Sequence, residues 1–132
     1  MGEFKDGSQG DKKKYDIYGR TFQFAVRVAK LLDKLLKSTA VVEYSRQLIR
    51  ASGSIGSNLE EADGALTRRD FINKVGIARR ESREARHWLR LLESVSSPRE
   101  PSDKEELKLL IKESTEILLI LSSIIKNTEK NS

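Results

Sequence analysis

Apolar residues recur along this chain at alternating steps of four and three, in stretches separated by short polar breaks. The most regular stretch lies between residues 67 and 94. There Phe71, Val75, Ala78, Ser82, Ala85, Leu89 and Leu92 fall on one stripe of a helix. A second such stripe, in residues 39–62, runs through Val41, Ser45, Leu48, Ser52, Ile55, Leu59 and Ala62. Residues 16–37 carry a broader apolar face made of Phe24, Ala25, Val28, Leu31, Leu32, Leu35 and Leu36. A fourth face, ending near Lys126, holds Leu107, Leu110, Ile111, Ser114, Ile117, Leu118, Leu121, Ile124 and Ile125. The pattern predicts four helices.

The breaks carry helix signals. Thr67-Arg68-Arg69-Asp70 reads as a capping-box variant that starts the third helix, and Ser102-Asp103-Lys104-Glu105 reads as a second box. Asp63-Gly64 is expected to end the second helix, with Gly64 supplying a left-handed cap. Ser96 to Pro101 is the one clear loop. Short connections make consecutive helices antiparallel neighbours, so the expected fold is an all-α, up-down-up-down four-helix bundle. The four-three spacing suits nearly parallel, left-handed packing.

One stretch runs against this reading. Gly53 and Gly56, in the segment ASGSIGSN, should each cost on the order of 1 kcal/mol relative to Ala in a helix. A loop would explain them, but the stripe keeps its register through Ile55 and Leu59. The sequence therefore favours a helix in which Ser52, Gly53 and Gly56 admit a closely packed neighbour or a second subunit. Asn58 and Glu61, at the margin of that seam, are candidate buried polar groups. Such groups need partners, and Arg79 or Arg80 is suitable by charge.

Length and composition sharpen the picture. A chain of 132 residues favours one domain. Residues 15–128 are read as the bundle. Residues 1–14, MGEFKDGSQGDKKK, are read as a disordered basic tail, and 129–132 as a disordered end. With no cysteine, neither disulfides nor thiolate metal sites are possible, which fits a reducing compartment. The longest uncharged apolar run, residues 117–125, is far shorter than the ~20 residues of a spanning helix. No secretory apolar segment follows the start, so the expectation is a cytoplasmic protein without a membrane partner. The net charge of +5 is unevenly spread. Residues 15–38 and 65–97 carry +3 and +4, whereas 39–64 and 98–132 carry −2 and −1.

Catalytic chemistry is sparse. The segment GSIG lacks the Lys-Ser/Thr ending of a phosphate-binding loop. The sole histidine, His87, forms one Glu84-x-x-His87 element, and di-iron bundles need two with further carboxylates. Glu84 and His87 also point away from the apolar stripe. No enzyme, metal or cofactor is expected. Trp88 is open to two readings, ordinary core or subunit contact.

The basic flanks are the sharpest functional feature. Arg79, Arg83, Arg86 and Arg90 follow the rhythm of the third helix and span about 16 Å. Arginine suits phosphate because its planar fork donates two parallel hydrogen bonds. With Arg80, and with Arg20, Arg27, Lys30 and Lys34 of the first helix, these residues form the candidate nucleic-acid surface. The bland alternative is an ordinary exposed face, with Arg83 and Arg86 paired to glutamates a turn away.

The segments SIGSNLEEADG (residues 54–64), RRDFINKVGIARRESREARHWLRLLES (68–94) and YGRTFQFAVRVAKLL (18–32) resemble the four helix bundle protein family. That family includes proteins encoded in intervening sequences of bacterial large-subunit ribosomal RNA genes. The accessory variability determinant of diversity-generating retroelements is similar in fold and carries an element like Trp88-Leu89-Arg90. The resemblance covers residues 15–126. It implies a ring-like homo-oligomer, a pentamer, without enzymatic activity. For the retroelement branch it implies a basic scaffold that binds a reverse transcriptase and nucleic acid. The competing expectation is a protein–protein interaction scaffold that does not bind nucleic acid.

Overall fold

A computed structural model describes residues 16–131 of the chain. Among them are four helices: α1 (Ile17–Leu32), α2 (Thr39–Asp63), α3 (Arg68–Val95) and α4 (Pro101–Lys130). The expected tail at residues 1–14 lies outside the described residues. The chain end behaves differently from expectation, because α4 continues through Glu129 and Lys130 as helix.

Local chemistry sets the boundaries. Asp16 caps α1 by accepting from the Gly19 N–H at 3.0 Å. The helix ends five residues earlier than its apolar pattern suggests. Lys34 and Leu35 donate to the Leu31 and Leu32 carbonyls in a tight final turn. Ser38 then has to leave helical geometry, because its hydroxyl accepts the Val41 N–H that opens α2. Leu35 is still buried, and it meets Pro98 in an isolated antiparallel bridge. Thr67 caps α3 as its sequence predicts, accepting the Asp70 N–H at 3.0 Å.

Two expected caps are not formed. Gly64 has φ −90°, so α2 ends without a left-handed residue, and the Gly64 N–H reaches the Glu60 and Glu61 carbonyls instead. The box at Ser102–Glu105 gives way to Pro101, which occupies the first helical position with Glu100 as an N-cap that makes no side-chain bond. Proline fits there because its fixed φ is already helical and its missing N–H would have no helical partner. Asp103 is then free to turn inward, where it is 5% exposed.

The core is built from the four stripes, although Leu36 is exposed and Ala25, Ser45, Ile111 and Ile124 are only half-buried. All seven positions of the α3 stripe are buried, with Phe71, Val75, Leu89 and Leu92 supplying its bulk. They meet Phe24 and Val28 of α1, Leu48, Ile55 and Leu59 of α2, and Leu107, Leu110, Ile117 and Leu121 of α4. Truncating one such Leu to Ala should cost about 2–5 kcal/mol. Each helix packs on its neighbours in sequence, and α4 returns to pack on α1.

Gly53 and Gly56 do lie inside continuous helix. Within the protomer, however, they do not mark a close approach. A β-carbon at Gly53 would meet nothing within 4 Å, and one at Gly56 would sit 3.7 Å from the Thr21 hydroxyl. Only Ser52 of that trio is buried in the seam, and its hydroxyl donates to the Ile49 carbonyl.

Candidate nucleic-acid interface

The two basic rows read from the sequence have different fates. The α1 row faces α4. Arg20 donates from Nε and Nη2 to both carboxylate oxygens of Glu113, at 2.9 and 2.6 Å, and Nη2 also reaches Glu116 at 3.1 Å. Arg27 makes the same two-pronged contact with Glu106, at 2.9 Å for both bonds. Lys34 lies 3.7 Å from the buried carboxylate of Asp103. The hydrogen bonds that Arg20 and Arg27 donate to Glu113 and Glu106 respectively raise their pKa, against a smaller opposing effect of burial. These guanidiniums are thus firmly cationic and already neutralised. Lys30 alone of the four α1 candidates is exposed and makes no ion pair with a described residue.

Among the described residues the α3 row has no such acidic partner. Arg80, Arg83 and Arg90 are exposed, and Arg79 and Arg86 are half-buried. None of the five forms an ion pair with a described residue; Arg86 reaches only the Thr115 hydroxyl of α4, at 3.5 Å. The acids one turn away turn to the other flank of α3. Glu81, only 9% exposed, and Glu84 both take Arg50 of α2. Glu84 also accepts the Trp88 indole N–H at 3.1 Å. The sequence pattern missed the burial of Glu81, since nothing in its spacing distinguishes it from an exposed glutamate. Its signal lies in the contact it makes with Arg50 across the helix pair.

The faces of α4 explain the difference. Asp103, Glu106 and Glu113 share the flank turned to α1. Thr115 marks the flank turned to α3. On the Thr115 stripe, at steps of four and three, stand Lys108, Lys112, Leu119, Ser122 and Lys126. The three lysines are exposed. The α3–α4 face therefore carries cations from both helices, with acids among the described residues only towards its ends, at Glu93, Glu105 and Glu129.

The remaining candidates fall elsewhere. Trp88 lies half-buried between α2 and α3, its ring 5.8 Å from Tyr44 and 5.1 Å from the exposed His87. Asn58 is half-buried and donates to the carbonyl and hydroxyl of Ser54, not to or from an arginine. Glu61 is exposed rather than buried, because it sits one position outside the Leu59–Ala62 seam. An open groove lined by Leu32, Lys37, Val41, Val42, Ser45 and Ile49 lies where the end of α1 meets the start of α2. Phe22, at 64%, and Ile49, at 52%, are exposed on the outer surfaces of α1 and α2.

Among the described residues no group of three or more His, Cys, Asp or Glu side chains could hold a metal ion. No helix of the described residues is long and apolar enough to cross a membrane. The all-helical fold also has a solved counterpart. A protein of unknown function from the S23 ribosomal protein family of Bacteroides thetaiotaomicron is 36% identical, with a TM-score of 0.70. The match covers 83% of this chain and 98% of that one. No curated protein matches the chain. The family described as 23S rRNA-intervening sequence protein matches residues 13–123, nearly the whole helical region. The chain belongs to the 23S rRNA-intervening sequence protein family.

Proposed function

We propose that this protein is a non-enzymatic, homo-oligomeric four-helix bundle of the cytoplasm that binds nucleic acid through the α3–α4 face. The observation that carries the proposal is that the α3 arginines have no acidic partner among the described residues, whereas Arg20, Arg27 and Lys34 of the α1 row are all paired. A cation that is not neutralised within the fold keeps its charge available to phosphate. The surface thus moves from the first and third helices to the third and fourth. A salt titration tests the reading. Affinity for generic RNA should fall linearly in log K against log salt as counterions are released. Binding that is absent even at low salt would contradict it.

An up-down-up-down course for the helices is part of the proposal. Its support is the falling register of the cross-helix pairs. Arg20 meets Glu113 and Arg27 meets Glu106; Tyr44 meets Trp88 and Arg50 meets Glu81; Arg68 meets Asn131 and Arg86 meets Thr115. Assembly into a ring, a pentamer by resemblance to the family, is supported by the exposed apolar residues Phe22, Val42 and Ile49. The same residues favour the second reading, a scaffold for protein partners without direct nucleic-acid contact. A reverse transcriptase as a further partner rests on the Trp88-Leu89-Arg90 resemblance alone.

A further inference from the structure

The α3–α4 face has a geometry that narrows its partner, given the nucleic-acid reading above, on which this inference rests. It presents two tracks of cations. The first is the arginine row from Arg79 to Arg90, about 16 Å long at helical rise. The second is the lysine row from Lys108 to Lys126 on α4, about 27 Å long. The two rows flank one seam between neighbouring helices, whose axes ordinarily lie about 8–10 Å apart, and they meet where Arg86 lies 3.5 Å from the Thr115 hydroxyl. Long, exposed side chains on either side of that seam can reach the two phosphate backbones that border a groove of a double helix, about 6 or 12 Å wide in B-form DNA.

The same face lacks what a single strand requires. Proteins that hold unpaired nucleic acid combine a basic groove with aromatic side chains on which bases stack. α4 contains no Phe, Tyr, Trp or His. On α3, Phe71 is buried in the core, and Trp88 is turned to Tyr44 of α2 with His87 packed edge-on against it. Among the described residues, the remaining aromatic side chains belong to α1 and α2. Among the described residues no aromatic platform therefore stands on the basic face.

We propose that the Arg79–Arg90 row of α3 and the Lys108–Lys126 row of α4 together grip the two backbones of a double-helical nucleic acid, without reading its sequence. The two rows would sit on opposite strands across one groove. Seven cations set an upper limit on the salt response, a slope of about −6 for a B-form duplex. Each cation removed should reduce that slope by about 1.

Fluorescence anisotropy with a labelled 20-base-pair duplex, as RNA and as DNA, and with each of its separated strands tests the proposal. The expected result is duplex binding at least ~10-fold tighter than either strand at equal phosphate concentration. Sequence-scrambled duplexes should bind alike. The exposed-residue variants Arg83→Gln and Lys112→Gln should each lower the slope by about 1, and Arg80→Gln, which lies outermost on α3, by less. Circular dichroism should show unchanged helix content in all three. Strands that bind as tightly as duplex overturn the proposal, as does a Lys112→Gln variant with an unaltered slope. Failure of both polymers to bind at low salt overturns the underlying nucleic-acid reading as well.

Discussion

At the scale of single residues, α2 and α3 carry two glycines that no neighbour requires. A β-carbon at Gly53 or Gly76 would meet nothing within 4 Å, and neither residue needs a positive φ. Gly53→Ala is therefore expected to raise stability by about 0.5–1 kcal/mol, seen as a higher urea midpoint. A lower midpoint would show that a second copy packs against this position. Tyr18 gives a pH-dependent prediction. Burial, then the charges of Asp63, Glu60 and Asp16, push its phenol up to about 12 from the ordinary 10.0. The folded state thus holds the phenolic proton more tightly than the unfolded chain. Its contribution is fully present below pH 10 and is lost as pH rises through about 12. Urea unfolding between pH 9 and 12 should show a shallower alkaline loss for Tyr18→Phe than for the parent. Equal slopes would contradict this role.

At the scale of elements, the stripes were legible and the flanks were not. All seven α3 stripe residues are buried, because a four-three repeat can serve only one face of a helix. The Thr67 cap was equally legible, since a hydroxyl three residues before an N–H needs no tertiary information. The end of α1 was not, because Leu35 stays apolar and buried after leaving the helix for its contact with Pro98. The role of Arg20 and Arg27 was hidden for a related reason. Which helix lies opposite a row, and in what register, is decided by packing and leaves no mark in local spacing. Once paired, the row acts as a clamp between α1 and α4. Arg20→Gln should lower stability by about 1–3 kcal/mol, because it leaves the partly buried Glu113 and Glu116 without their cation. Its affinity for nucleic acid should stay within twofold of the parent. A stable variant with weakened binding would reverse both assignments.

At the scale of the whole molecule, the charge map separates an inside from an outside. Acids of α4 neutralise α1, and acids of α3 hold Arg50 of α2. The remaining excess of positive charge gathers on α3 and the adjoining flank of α4. The net charge of +5 had located the excess by segment, but only the arrangement of helices shows which part of it faces outward. The exposed apolar side chains lie elsewhere for the most part, with Phe22 on α1 and Val42 and Ile49 on α2. A ring closed through those residues would leave the basic face open and repeat it around the assembly. Light scattering should then give a multiple of the 15.0 kDa chain mass. Val42→Glu with Ile49→Glu should return it to a single copy; a parent already at 15.0 kDa would contradict the assembly.

The central claim is that the α3–α4 face, and not the α1 row, meets nucleic acid. Its most direct test is anisotropy at low salt with the double charge reversal Arg83→Glu and Arg90→Glu beside the parent. Both residues are exposed and make no ion pair with a described residue, so helix content should be unchanged. The account predicts at least a hundredfold loss of affinity, on the order expected from removing two phosphate contacts and adding two repelling charges. Undiminished binding by that variant would contradict it.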